Sequence, residues 1–258
     1  MTHETGESAL DPRGLISWAW RNRPELWLLG GVFLAGLLLI VFGQIAEEVA
    51  EGGTTWFDEK VLLALRAPGD TADPLGPAWL EEAARDVTAL GSTVVLGIVV
   101  VAAIAYLLLM KRGGAALWVF ASVVGGMVLS SFLKEAFNRP RPDLVAHAAQ
   151  VFTPSFPSGH ATLSAVTFLT LGALLASTHD SRRLKVFFLG LAIFITVVVG
   201  LTRIYLGVHY PTDVLAGWCL GAAWAAICWT VFRWLQERGT VKPAVRDAID
   251  EGDRTNGG

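Results

Sequence analysis

Six long apolar runs, separated by more polar segments, dominate the hydropathy pattern of the chain. They cover residues 27–45, 92–110, 115–133, 161–177, 184–201 and 214–232. Each run approaches the length of about 20 residues with which an α-helix crosses the hydrocarbon core of a bilayer. Apolar side chains occur all round each predicted helix, as they do where lipid or other spans surround it. The pattern predicts an all-α protein, a six-transmembrane-helix bundle.

Basic residues beside the runs predict the orientation of this bundle. If the six spans alternate, the basic clusters that flank them share one side of the membrane: Arg13, Arg21, Arg23, Lys111, Arg112, Arg182, Arg183, Lys185, Arg233 and Arg238. Because positive residues mark the cytoplasmic side, both termini are expected in the cytoplasm. The first run begins late and is long enough to span, so we expect a retained helix and not a cleaved signal peptide.

The first loop between spans, residues 46–90, is acidic and too long for a simple turn. Apolar residues recur at helical spacing in two of its segments, 56–65 and 79–90. We therefore predict short extracytoplasmic helices in the first loop, at or above the membrane interface. Such helices can cap the bundle as packing elements or form a lid that selects substrate, and no sequence feature decides between these roles.

Composition supports a membrane protein and excludes several classes. Of the 258 residues, 53% are hydrophobic and 17% charged, and the net charge is −3; the mean hydropathy is +0.51. A soluble chain of this size could not bury so much apolar surface, and the charge gives no sign of a nucleic-acid partner. We expect the bilayer and a membrane lipid as partners, with one membrane domain over residues 1–235 and a polar cytoplasmic tail over 236–258.

Small residues in the last span do not define an oligomeric state. Gly217 and Gly221 form a small-residue pair, which intramolecular helix packing explains more often than dimerisation. Cys219 and Cys228 fall on nearly opposite faces of the same predicted helix, so a disulfide or a metal site is not expected.

Three clusters of polar residues are not explained by orientation. They consist of Lys134 with the run Asn138-Arg139-Pro140-Arg141-Pro142, the run Pro157-Ser158-Gly159-His160, and Arg203 with His209 and Asp213. In the alternating topology all three lie at the extracytoplasmic ends of spans three to six. Basic residues there run against the positive-inside rule and need a local reason. We therefore expect the three clusters to meet in one outer pocket.

The first group of residues in these clusters suits phosphate binding. Lys134, Arg141 and Arg203 supply three cations, and the two guanidinium groups match phosphate oxygens. Ser158 and Gly159 lie where a span begins, so their main-chain N–H groups can form an anion nest.

The second group suits phosphoryl transfer. His160 and His209 can divide the roles of nucleophile and general acid, because the pKa of histidine lies near neutrality. Asp213 follows His209 by one helical turn and can fix its tautomer. Singly, each cluster also fits an exposed loop, a helix cap or a structural hydrogen-bonded pair; together, on one membrane face, they favour a catalytic site.

These residues resemble the three motifs of the type 2 phosphatidic acid phosphatases, integral-membrane relatives of bacterial acid phosphatases and vanadium haloperoxidases. The first motif is a lysine, six residues and Arg-Pro, the second is Pro-Ser-Gly-His, and the third is Ser-Arg, five residues, His, three residues and Asp. The matching positions are Lys134 and Arg141, Ser158 to His160, and Arg203, His209 and Asp213. Thr202 replaces the usual serine of the third motif and keeps its hydroxyl group.

The resemblance implies a role for each matching residue. His209 would be the nucleophile that accepts the phosphoryl group, Asp213 would orient it, and His160 would protonate the leaving group. The phosphate would be held by Lys134, Arg141, Ser158, Gly159 and Arg203. Water would then hydrolyse the phosphohistidine.

The implied activity is that of a lipid phosphate phosphatase at the outer face of a bacterial inner membrane. Phosphatidylglycerol phosphate, phosphatidic acid and undecaprenyl pyrophosphate are the candidate substrates, since the motif residues contact only the phosphate that they share. We expect no metal or other cofactor, because three fixed cations and a helix N-terminus can stabilise the transition state.

Three other functions compete with this hypothesis. A lipid-pyrophosphate phosphotransferase would use the same phosphohistidine but needs an acceptor pocket that the sequence does not display. A haloperoxidase would use similar ligands, but those relatives are soluble and this chain has six predicted spans. A transporter with a basic vestibule is disfavoured, because no charged residue lies at mid-membrane depth in the predicted spans.

Overall fold

The computed structural model describes residues 23–143 and 153–240, and this part of the chain is helical apart from one small hairpin. The elements in chain order are α1 (Arg23–Glu51), α2 (Thr55–Ala64), β1 (Arg66–Ala67), β2 (Asp70–Pro74), α3 (Ala78–Ala89), α4 (Thr93–Leu109), α5 (Gly113–Phe137), α6 (Gly159–Ser177), α7 (Arg182–Tyr205) and α8 (Pro211–Glu237). Each of the six apolar runs forms a helix, namely α1 and α4 to α8. Within the predicted tail, α8 continues to Glu237, and residues 241–258 lie outside the described residues.

Five of the helices in the described ranges, α1, α5, α6, α7 and α8, are long and apolar enough to cross a membrane. The remaining predicted span, α4, reaches that length only together with α3, to which it is joined at a bend of 44°. The break is stabilised by Ser92, whose side chain accepts a hydrogen bond from the N–H of Val95 at 3.2 Å and so caps α4. The protein is therefore an integral membrane protein with multiple spans.

The centre of the bundle is α6, which packs against α5, α7 and α8. Its contact with α8 is close because α8 presents glycine to it: a Cβ atom at Gly221 would lie 2.5 Å from the carbonyl oxygen of Thr162. Gly217 makes a similar approach to the carbonyl of Ser158. Packing within the chain thus accounts for this small-residue pair. By contrast, α1 packs mainly on α8 and exposes large apolar side chains such as Phe33, as a lipid-facing helix does.

The first loop forms the two helices expected for it, α2 and α3, and folds onto one end of the bundle. Leu62 of α2 is fully buried and lies in one apolar cluster with Ala161 of α6, Ile204 of α7 and Val214 of α8. The antiparallel hairpin β1–β2 between the helices was not predicted, because strands so short leave no alternating pattern. Burial of Leu62 among three spans favours the packing role of this loop over that of a free lid.

Candidate active site

The three polar clusters meet at the end of the bundle that the first loop covers. Lys134 lies in the last turn of α5, His160 in the first turn of α6 and Arg203 in the last turn of α7. His209 lies two residues before Pro211, where α8 begins, and Asp213 lies in the first turn of α8. The His160 ring is within electrostatic reach of Lys134, Arg141, Arg203 and His209. The eight residues selected from the sequence therefore surround one site.

His209 is buried, and its neighbours define its tautomer. Arg141 Nη1 lies 3.2 Å from His209 Nε2. Because a guanidinium group can only donate, Nε2 carries the lone pair and Nδ1 carries the hydrogen. Nδ1 lies 3.4 Å from both Asp213 Oδ2 and Ser155 Oγ. Burial lowers the pKa of His209 to about 3, outweighing the opposing effect of Asp213, so the ring is neutral at physiological pH.

Asp213 is fixed by contacts on both carboxylate oxygens. Oδ2 accepts hydrogen bonds from the Ser155 hydroxyl and, at 2.9 Å, from the N–H of Tyr210. The second of these belongs to a capping box, in which the third residue of α8 reaches back to the residue before the helix. Pro211 occupies the first helical position, where its missing N–H costs nothing. The start of α8 thus places Asp213 one turn from His209.

Arg139 contacts the other oxygen of Asp213 and was not selected from the sequence. Its Nη1 donates to Asp213 Oδ1 at 2.7 Å, and its Nη2 donates to Asp58 Oδ2 at 2.8 Å. The guanidinium also lies over the ring of Tyr210, with 4.3 Å to the centroid. Burial opposes the charge of Arg139, but Asp213 and Asp58 outweigh it and raise its pKa, so Arg139 remains a cation. It joins two buried carboxylates.

Two buried polar groups of the motif residues have no hydrogen-bond partner among the described residues, namely Arg203 Nε and Ser158 Oγ. A buried polar group without a partner costs about 1–3 kcal/mol, so a ligand or water that supplied the missing partner would stabilise the site. Arg203 is held from the first loop, because its Nη1 donates to Thr88 Oγ1 at 3.2 Å. An anion with several acceptor oxygens would satisfy both groups, and phosphate is such an anion.

The structure corrects one detail of the predicted phosphate site. The N–H of Ser158 donates to the carbonyl of Asp213 at 2.9 Å, so the predicted nest loses this donor. The Ser158 hydroxyl and the N–H groups of the first turn of α6, beginning with Gly159, are the donors that remain at this helix start. Gly159 also makes room for Lys134, whose Cε would lie 3.3 Å from a Cβ atom at this position.

Most of the hydrogen-bond donors of Arg141 already have partners within the protein. It donates through Nε to Thr153 O at 2.8 Å, through Nη1 to Val208 O at 2.7 Å and to His209 Nε2, and through Nη2 to Thr153 Oγ1 at 3.1 Å. Four of its five N–H donors are therefore occupied. Lys134 keeps more freedom, with its Nζ donating to Pro154 O at 2.6 Å. In the described residues, Lys134 and Arg203 each make one side-chain hydrogen bond, so they keep more N–H donors for an anion than Arg141 does.

The first loop contacts every one of the three clusters. Asp58 of α2 binds Arg139, and Thr88 of α3 binds Arg203. At the bend between α3 and α4, a Cβ atom at Gly91 would lie 3.2 Å from His160 Cδ2. The sequence held one signal for Asp58: it precedes Leu62 by one helical turn, on the face of α2 that is buried. Ser155 and Thr88 carry no comparable signal.

The fold is a helical membrane bundle, and its cationic, histidine-containing site lies at the ends of four helices. These features are those of a membrane phosphatase. Comparison with known proteins identifies the family. Residues 115–237 match the PAP2 superfamily. The chain is 34% identical to the phosphatidylglycerophosphatase B of Bacillus subtilis (strain 168) over 148 residues, which are 55% of this chain and 70% of that protein. The chain belongs to the PAP2 superfamily of membrane lipid phosphate phosphatases, and it is a hydrolase of lipid phosphate esters.

A second relative in the sequence comparison matches over a smaller part of its own length. The lipid A 1-phosphatase of Rhizobium etli is 35% identical over 113 residues, 40% of this chain and 44% of that protein. Among solved structures, a transmembrane PAP2 type phosphatidylglycerolphosphate phosphatase from Bacillus subtilis has a TM-score of 0.70 at 26% identity, covering 77% of this chain and 96% of that one. These matches confirm the predicted family and the predicted fold class.

Proposed function

We propose that this protein removes phosphate from a membrane lipid through a phosphohistidine formed on His209. The observation that carries the proposal is a neutral, buried His209 ring, whose Nε2 carries a lone pair, at the same end of the bundle as unpartnered donors on Arg203 and Ser158. A phosphate bound by those donors would lie next to the nucleophilic nitrogen. Positioning of this kind supplies most of the catalysis in phosphoryl transfer.

The reaction proceeds in two displacements. In the first, Arg141 Nη1 gives up its hydrogen bond to His209 Nε2, whose lone pair bonds to phosphorus. The bond from phosphorus to the lipid oxygen breaks, and that oxygen takes a proton from the His160 imidazolium, which becomes neutral. Asp213 stabilises the positive charge that the ring acquires while Nδ1 keeps its hydrogen. In the second, His160 takes a proton from water, the water oxygen bonds to phosphorus, and the bond to Nε2 breaks. Inorganic phosphate leaves and the original ring is restored.

For the substrate we propose phosphatidylglycerol phosphate first, with phosphatidic acid and undecaprenyl pyrophosphate as the other candidates. The name of the Bacillus subtilis relative supports the first choice. The lipid-facing surfaces of the spans allow the chains of such a substrate to stay in the bilayer while its head group reaches the site. A phosphotransferase would use the same first displacement and would pass the phosphoryl group to an acceptor other than water.

Purified protein is expected to release inorganic phosphate from at least one of the three lipids and to do so equally in EDTA and in added magnesium. The lipids are presented in detergent micelles, and both loss of lipid phosphate and gain of inorganic phosphate are measured. Phosphate release equal to lipid consumed supports hydrolysis. Lipid consumption without matching phosphate release would indicate transfer to an acceptor, and strict dependence on magnesium would overturn the metal-independent mechanism.

The proposed location of the site is the extracytoplasmic side of a bacterial inner membrane, with both termini in the cytoplasm. Asp70, exposed in the hairpin of the first loop, reports on one side, and Arg183, exposed at the start of α7, reports on the other. In a chain carrying Cys219→Ser and Cys228→Ser, a membrane-impermeant maleimide added to intact spheroplasts should label Asp70→Cys and leave Arg183→Cys unlabelled until the membrane is opened. The reverse labelling would place the site in the cytoplasm.

A further inference from the structure

A buried ionic cluster outside the three motifs joins the first loop to the nucleophile. Its centre is Asp58 of α2, a fully buried carboxylate. Asp58 Oδ2 accepts from Arg139 at 2.8 Å and from the Thr212 hydroxyl at 2.6 Å, while Oδ1 accepts from the N–H of Thr212 at 3.0 Å. Both oxygens are therefore occupied, and the carboxylate caps the first turn of α8 from another element of the fold.

Arg139 carries this arrangement to the candidate catalytic pair. One guanidinium group binds Asp58 through Nη2 and Asp213 Oδ1 through Nη1. With Oδ1 held in this way, Asp213 Oδ2 is the oxygen that faces His209 Nδ1. If Asp58 were absent, Arg139 would have a single carboxylate partner and would be free to centre on both oxygens of Asp213. The position of Oδ2 relative to the imidazole ring would then depend on its contacts with Ser155 and Tyr210 alone.

The charge of the cluster also matters for the reaction. Two carboxylates and one guanidinium leave one net negative charge on the Nδ1 side of His209. When Nε2 bonds to phosphorus and Nδ1 keeps its hydrogen, the ring becomes positive, and this negative charge compensates it. Neutralising Asp58 removes the excess and raises the energy of the charged ring relative to the neutral one.

We propose that Asp58 and Arg139 are positioning residues that set the orientation of Asp213, and through it the His209 ring, from the first loop. The proposal rests on the proposed role of His209 as the nucleophile. It gives the first loop a defined contribution, which is to hold the nucleophile in place from outside the family motifs.

The test compares Asp58→Asn with a control on the same loop. The matched control is Glu81→Gln, which removes the carboxylate of an exposed ion pair with Arg85 on α3. Asp58→Asn should lower kcat by about 10- to 100-fold, as loss of a residue that orients a catalytic group does. Affinity for orthovanadate, which mimics the five-coordinate transition state with Nε2 as a ligand, should fall at least tenfold. Affinity for inorganic phosphate should stay within about threefold, and Glu81→Gln should change none of these.

A double-mutant cycle separates positioning from a structural role. Because Asp58 acts through Asp213, Asp58→Asn should cost less than about threefold further in kcat once Asp213→Asn is present. Equal losses of kcat in both backgrounds, or equal weakening of orthovanadate and phosphate, would overturn the proposal. Where Asp58→Asn does not accumulate in the membrane, Arg139→Lys takes its place. Lysine keeps the charge but lacks the planar fork that binds two carboxylates, so the same pattern is expected.

The orthovanadate measurement keeps this proposal separate from the proposed function. If the wild type releases no phosphate from any lipid but Asp58→Asn still weakens orthovanadate selectively, the proposed function fails and the positioning role stands. If lipid phosphate is hydrolysed and Asp58→Asn binds orthovanadate like the wild type, the positioning role fails and the proposed function stands. Absence of orthovanadate binding by the wild type would overturn the nucleophile assignment and this proposal with it.

Discussion

His209→Gln is expected to release phosphate at least about 10⁴-fold more slowly than the wild type, the scale on which loss of a nucleophile acts in other covalent mechanisms. Glutamine approximates the size and polarity of the ring and can still hydrogen-bond to Asp213, but its amide nitrogen has no basic lone pair. The substitution therefore removes the bond-forming atom with little change in volume at a position that is 1% exposed. A wild-type rate in His209→Gln would eliminate this residue as the nucleophile.

The phosphoenzyme gives an independent measurement of the same prediction. Wild-type protein mixed briefly with lipid labelled in its phosphate should retain a label that is stable to base and lost in acid, as expected for a phosphorus–nitrogen bond. His209→Gln should retain none. His179→Gln is the matched control, because His179 lies in the loop between α6 and α7, at the opposite end of the bundle, and contacts Thr178 and Leu175 there. Label and rate should be unchanged in that variant.

The spans and the motif residues were predictable because their signals are local. An apolar run reports its own burial, and the motif spacings place His209 and Asp213 one helical turn apart wherever a helix begins at Pro211. The bend before α4 was not predictable in this way. It depends on the packing of α3 against α7, a contact between segments far apart in the chain.

The ion pairs around His209 are the contacts that the sequence predicts least well. Arg139 and Arg141 are two residues apart in one Asn-Arg-Pro-Arg-Pro run. The motif spacing selects Arg141, but nothing in the sequence assigns a partner to Arg139. In the structure Arg141 contacts Nε2 of His209, whereas Arg139 contacts the carboxylate on the Nδ1 side. The difference arises because Asp58, far away in the sequence, is buried within reach of one guanidinium and not the other.

The contacts that the first loop makes with the site could not be predicted from the sequence either. From the sequence, packing and substrate selection are both possible roles for its helices. The structure adds a third contribution, since Asp58 contacts Arg139, Thr88 contacts Arg203, and Gly91 at the end of the loop lies close to His160. Their contacts are tertiary hydrogen bonds and close approaches, which hydropathy and motif spacing do not encode.

His160→Asn is expected to slow phosphate release more strongly for substrates whose leaving group is more basic and so requires protonation. For a lipid phosphomonoester, whose leaving alkoxide is strongly basic, loss of a general acid should cost about 10²- to 10⁴-fold. For p-nitrophenyl phosphate, whose leaving group is stable as an anion, the cost should be less than about tenfold. Asparagine is polar and smaller than histidine, so it fits at position 160, whose native ring lies close to Gly91.

The comparison of the two substrates decides what His160 does. His160 lies within the field of Lys134, Arg141 and Arg203, so its ring could instead help bind the phosphate. A binding role would make His160→Asn equally harmful for both substrates, because both present the same phosphate, and would raise KM. An acid role lowers kcat for the alkyl ester alone, while His209→Gln abolishes turnover of both esters. Equal loss with the lipid and the aryl ester would therefore assign His160 to phosphate binding, and unequal loss assigns it the transfer of the proton.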